Sequence, residues 1–80
     1  MSAVDVVLPK WGMSMQEGTI TEWYVEVGDE VLEGDVIAEV ETEKVNGEVE
    51  APADGRISEI AVAAGETAEV GSVLARVEPA

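Results

Sequence analysis

An ungapped internal match constrains this chain more than any other feature. Laying residues 18–41 over residues 55–78, an offset of 37, pairs GTITEWYVEVGDEVLEGDVIAEVE with GRISEIAVAAGETAEVGSVLARVE, and ten of the 24 positions are identical. They are Gly18/Gly55, Ile20/Ile57, Glu22/Glu59, Val25/Val62, Gly28/Gly65, Gly34/Gly71, Val36/Val73, Ala38/Ala75, Val40/Val77 and Glu41/Glu78. Two copies are too few for a solenoid, which needs at least three stacked repeats. The match predicts two similar halves related by an approximate two-fold axis.

Each half reads as strands. Val36, Ala38 and Val40 alternate with Ile37, Glu39 and Glu41, and Val73, Ala75 and Val77 repeat the pattern, so the first-named sets are expected to face the core. Val4, Val6 and Leu8 alternate ahead of Pro9, as do Val45, Gly47, Val49 and Ala51 ahead of Pro52. After Gly18 and Gly55 the apolar parity slips by one residue at the same place in both copies, which predicts a β-bulge near Glu22 and Glu59. Gly28, Gly34, Gly65 and Gly71 mark turns. The expectation is an all-β fold of about eight short strands in two antiparallel sheets packed face to face, a single domain over residues 1–80 with no helix.

Composition narrows the chemistry. With no Cys and no His, the chain lacks the thiolate, the most common general base and the most common transition-metal ligands, so neither a metal site nor a catalytic centre of its own is expected. Eighteen acids against four cations leave a formal net charge of −14, which repels phosphate backbones and anionic membranes. Nucleic acid and membrane are therefore not expected partners. The opening residues carry no basic, continuously apolar leader, and no apolar run reaches the roughly 20 residues that span a bilayer. An intracellular, soluble protein is expected.

Positions shared by both copies are explained by the shared fold, so a functional signal should lie where the repeat breaks. Between Pro9 and Gly18 the first copy carries a loop six residues longer than the stretch between Pro52 and Gly55, containing Lys10, Trp11, Gly12, Met13, Ser14 and Met15. The second break is Glu41-Thr42-Glu43-Lys44-Val45-Asn46, which joins the copies. Only Glu43 and Lys44 remain there to turn the chain, a two-residue connection without the usual Asn-Gly or Asp-Gly. By position alone Lys44 reads as a surface lysine blunting a hairpin. Yet Lys10 is the only other lysine, which gives its place at the tip more weight.

Gly28-x2-Val31, Val36-Ile37, the run Glu41 to Asn46, Val49 and Gly55-x-Ile57 together resemble the modification signature of the lipoyl domain family, over essentially the whole chain from Val4 to Val77. The resemblance implies a flattened barrel-sandwich of two four-stranded sheets. It also implies lipoate in amide linkage on Lys44, with Glu41, Thr42, Glu43 and Val45 read by the lipoate-attaching enzyme. The family usually has Asp where this chain has Glu43, one methylene longer. In 2-oxo acid and acetoin dehydrogenase complexes such domains shuttle between a thiamin-dependent dehydrogenase, an acyltransferase core and the flavoenzyme dihydrolipoamide dehydrogenase. That implies a carrier with no activity of its own, in the cytoplasm or a mitochondrial matrix.

In the family the long first loop lies beside the lysine hairpin and aids recognition by the thiamin enzyme. Trp11, Met13 and Met15 are the corresponding contacts here, unless they cover the end of the core. The nearest rival is a biotinyl carrier, whose lysine is typically flanked by methionines where this chain has Glu43 and Val45. An unmodified barrel-sandwich adaptor would have no use for the acid-Lys tip, and the glycine-cleavage carrier is a longer chain. Because Glu41 maps onto Glu78, the two-fold should carry the Lys44 hairpin onto the region of the chain ends and leave the two at opposite ends of the molecule.

Overall fold

The computed structural model describes residues 3–79 as eight strands. They are β1 (Val4–Val7), β2 (Glu17–Trp23), β3 (Glu30–Val31), β4 (Val36–Glu41), β5 (Asn46–Glu50), β6 (Gly55–Ile60), β7 (Thr67–Glu69) and β8 (Val73–Pro79). No helix occurs among the described residues. One sheet runs β1-β8-β6-β3 and the other β5-β4-β2-β7, all pairs antiparallel. The repeat exchanges β2 with β6, β3 with β7 and β4 with β8, and the pairing of β5 on β4 matches that of β1 on β8. Each sheet therefore mixes strands of both copies, which closes the two halves on one another.

The core follows the same symmetry residue by residue. Its buried members fall into Ile20/Ile57, Val31/Ala68, Ile37/Leu74, Ala38/Ala75, Val40/Val77, Val6/Val49 and Leu8/Ala51. Removing each large aliphatic side chain from water contributes about 1.5–3 kcal/mol. No polar or charged side chain is buried among the described residues, so the core needs no compensating polar network.

Bulges come in symmetric pairs. The predicted slip lies at Thr21 in β2 and Ser58 in β6, where the register skips a residue against β4 and β8. Both hydroxyls donate across the bulge, Thr21 to the Glu39 carbonyl at 3.1 Å and Ser58 to the Arg76 carbonyl at 3.3 Å. A second pair corrects the sequence reading. Val36 and Val73 are only half-buried, while Ile37 and Leu74, assigned outward by strict alternation, are wholly buried. The ladder skips Ile37 against β5 and Leu74 against β1, so two consecutive residues point inward at each bulge. Val45, read as the first inward residue of its strand, is 51% exposed because the strand begins only at Asn46.

The turns leading into β3 and β7 need left-handed backbone at Gly28 (φ 99°) and Gly65 (φ 90°), where a side chain would be strained. Each turn is tied to the strand on which the next one pairs, Gly28 N–H to the Ile57 carbonyl of β6 and Gly65 N–H to the Ile20 carbonyl of β2. Of the adjacent aromatics, Trp23 packs against the core and donates Nε1–H to the Val62 carbonyl at 2.8 Å, whereas Tyr24 lies on the surface.

Candidate functional site

Lys44 stands on the hairpin between β4 and β5. Glu41 pairs with Asn46, and the Thr42 N–H donates to the Val45 carbonyl at 2.9 Å, leaving Glu43 and Lys44 as the two tip residues. No non-glycine residue in the described chain has a positive φ, so this tip does without the left-handed pair that Asn-Gly would supply. The Thr42 hydroxyl takes over that work: it donates to the Val45 carbonyl at 2.6 Å and accepts from the Val45 N–H at 3.1 Å. Among the described residues the ion pairs are those of Arg76, with Asp5 at 3.1 Å and Glu59 at 3.4 Å. The Lys44 ammonium is thus exposed at the tip with no carboxylate holding it down.

The long first loop lies against this hairpin. Trp11, Met15, Glu41, Thr42, Glu43 and Lys44 share the lining of one open hollow of about 650 Å³. Val45 lines it as well, so every residue singled out from the sequence is gathered there except Met13. Met13 points away into solvent, 96% exposed. Trp11 and Met15 are half-buried and pack on the core, and the Trp11 N–H reaches the Met15 sulfur at 3.3 Å. The three contacts proposed from the sequence therefore divide: Trp11 and Met15 cover the end of the core, and Met13 forms the outer point of the loop.

By strand alternation alone Gly47 is an ordinary core-facing position. A Cβ placed on it would sit 2.6 Å from two carbons of the Trp11 ring, so the indole lies directly over the Gly47 backbone. The available signal was the pattern Val45-Gly47-Val49, in which a glycine interrupts β-branched residues.

The start of β1 and the end of β8 lie far from Lys44. Leu8 N–H bonds the Ser72 carbonyl, so β8 begins beside the point where the long loop leaves β1, and Val70 N–H bonds the Gln16 carbonyl within that loop. From there β8 runs seven residues to Pro79, about 20 Å at ~3.3 Å per residue. Val4 pairs with Val77 at that far end.

Around the hairpin the field is negative, with Glu41, Glu48 and Glu50 on its two strands and Glu43 at its tip. The Tyr24 phenol is held above the usual tyrosine range, first by desolvation and then by the carboxylates of Glu39, Glu22 and Glu48. Among the described residues no cluster of acids is arranged to hold a metal ion.

A family model described as biotin-requiring enzyme matches residues 4–77. The dihydrolipoyllysine-residue acetyltransferase component of the acetoin cleaving system of Cupriavidus necator is 40% identical over 77 residues, 96% of this chain and 21% of that protein. The lipoamide acyltransferase component of the branched-chain alpha-keto acid dehydrogenase complex of Bacillus subtilis is 41% identical over 78 residues, 98% of this chain and 18% of that protein. The chain thus spans about a fifth of the length of these relatives. Among solved structures, the lipoyl domain of the 2-oxoglutarate dehydrogenase complex from Azotobacter vinelandii superposes with a TM-score of 0.77 at 35% identity, covering 98% of this chain and all of that one.

Proposed function

The chain belongs to the family of biotin- and lipoyl-bearing domains, and from that premise we propose that Lys44 is its attachment residue and carries lipoate as a swinging arm. The protein is a lipoyl domain of the kind found in acyltransferase components of 2-oxo acid and acetoin dehydrogenase complexes, a carrier and not a catalyst. The observation that carries the assignment to Lys44 is its place: the unpaired tip of the hairpin joining the two copies, with a threonine bracing the turn from below. When bound, lipoate supplies a dithiolane that can be reduced, acylated and reoxidised.

The chain's own residues do the rest. Thr42 and Val45 hold the tip with Lys44 exposed on it, and amide formation there removes the ammonium charge. The surrounding glutamates are then left without a cation, an acidic collar that an attaching enzyme or a dehydrogenase can read. Tethering keeps the effective concentration of the reactive end high in each partner site. The partners we propose are a lipoate-attaching enzyme, a thiamin-dependent dehydrogenase, an acyltransferase core and dihydrolipoamide dehydrogenase, in the bacterial cytoplasm or, in a eukaryote, the mitochondrial matrix.

Glu43 and Val45 beside the lysine favour lipoate over biotin. Incubating the chain with lipoate, ATP and a lipoate–protein ligase, and in parallel with biotin and a biotin–protein ligase, tests the reading by peptide mass spectrometry. A lipoyl adduct on Lys44 alone is expected. An adduct on Lys10, or preferential biotinylation, overturns it.

A further inference from the structure

The pseudo-two-fold supplies an internal control for Gly47. Val40 pairs with Gly47 and its repeat mate Val77 pairs with Val4, so Val4 occupies the position equivalent to Gly47. The strand environment accepts a β-branched residue there, and valine suits a strand better than glycine. By contrast Gly18 and Gly55 are glycine in both copies, because a Cβ at either would strike the neighbouring strand: the Val40 side chain in one case, the Glu78 carbonyl in the other. A shared glycine is thus a requirement of the fold, and an unshared one needs a local reason. At Gly47 that reason is Trp11, which comes from the loop that only the first copy carries.

We infer that Trp11 and Gly47 form a lock fixing the 9–16 loop onto the strand that leaves the Lys44 hairpin, and that Gly47 is a positioning residue for recognition of the domain by the thiamin-dependent enzyme that acylates the arm. The inference rests on the carrier reading above. With the indole seated on Gly47, and the Trp11 N–H on the Met15 sulfur, loop and hairpin present one rigid face whose outermost point is Met13. A side chain at 47 lifts the indole, frees Met15 and moves Met13 relative to Lys44, while both strands keep their ladder. The tip itself, braced by Thr42, is untouched.

The experiment compares the 80-residue chain with Gly47→Val, Trp11→Ala and the double variant. Hydrogen peroxide oxidation followed by peptide mass spectrometry reads the lock without any cofactor. In the parent, Met15 should oxidise at least five-fold more slowly than Met13, and in Gly47→Val the two rates should come within two-fold. Lipoylation of Lys44 by the ligase should change by less than two-fold. Reductive acylation should lose at least ten-fold in kcat/KM, measured with pyruvate dehydrogenase or the acetoin-cleaving thiamin enzyme, whichever acylates the parent faster. In the Trp11→Ala background Gly47→Val should add no further loss, since the clash is gone. Unchanged Met15 protection in Gly47→Val, additive losses in the double variant, or undiminished acylation with Met15 exposed each overturn the inference. Failure of the parent to be lipoylated would instead strike the carrier reading, and the peroxide comparison would still decide whether the lock exists.

Discussion

Replacing Lys44 by Ala removes an exposed amine that has no buried partner. Lipoylation should vanish while the unfolding free energy, measured by urea titration, stays within about 0.5 kcal/mol of the parent. Exchanging Glu43 with Lys44 keeps composition and moves the amine one position along the turn, where it points differently, so modification should fall although folding does not. Thr42→Val asks the opposite question. It deletes the hydroxyl that both donates to and accepts from Val45, and should lower stability by about 1 kcal/mol and slow lipoylation together. Tyr24 reports the acidic surface. Its folded-state pKa lies above the unfolded value near ~10, so the folded chain holds that proton more tightly. Its contribution to stability is intact below the unfolded value and is lost as pH rises through the folded one. An ultraviolet titration should find the phenol ionising above the usual tyrosine range, and Glu39→Gln should bring it down. The place of Lys44 at a hairpin tip was legible, since only two residues remain to turn the chain between the two copies. The part played by Thr42 was not, since a hydroxyl bracing a turn leaves no periodic trace.

At the scale of elements, strand existence was readable because apolar alternation runs through both copies, and a feature seen twice at one offset counts as two observations. The bulge near Glu22 and Glu59 was readable for the same reason: the parity slip occurs inside a longer alternating run. The bulges at Ile37 and Leu74 were hidden, since Val-Ile-Ala and Val-Leu-Ala are apolar throughout and give alternation nothing to contradict. The long loop posed the same difficulty. Trp11, Met13 and Met15 are similar in hydrophobicity, and only the packing separates the two that cover the core from the one that projects. Exchanging residues 10–17 for the loop of a lipoyl domain from another complex should therefore reduce acylation by the thiamin enzyme more than it reduces lipoylation by the ligase. Steady-state rates of the two reactions check this, and equal losses would make the loop a cover only.

For the whole molecule, the fold class followed from the repeat, but the way the halves interlock did not. Sequence similarity says that two segments are alike and is silent on whether each forms its own sheet or lends strands to the other. Here β3 sits with β6 and β7 with β2, so neither copy buries its apolar face alone. A net charge of −14, with the ion pairs of Arg76 alone among the described residues, makes self-repulsion the main electrostatic term. Added monovalent salt should consequently raise the Tm in a calorimetric scan, because screening relieves repulsion and finds few attractions to weaken. A fall in Tm would show that the attractions had been undercounted.

The pairing of Val4 with Val77 at the place equivalent to the lysine hairpin has a topological meaning. The eight strands form a ring cut at one point, and the cut lies where a second tip would otherwise stand. Bridging residues 78 and 3 with a copy of the Thr-Glu-Lys-Val turn, and reopening the ring at the exposed turn after β3, would yield a circular permutant with a lysine at each pole. Such a double-headed carrier could be loaded at both ends, whereas the natural connectivity places the Lys44 hairpin at one pole and the paired strands β1 and β8 at the other.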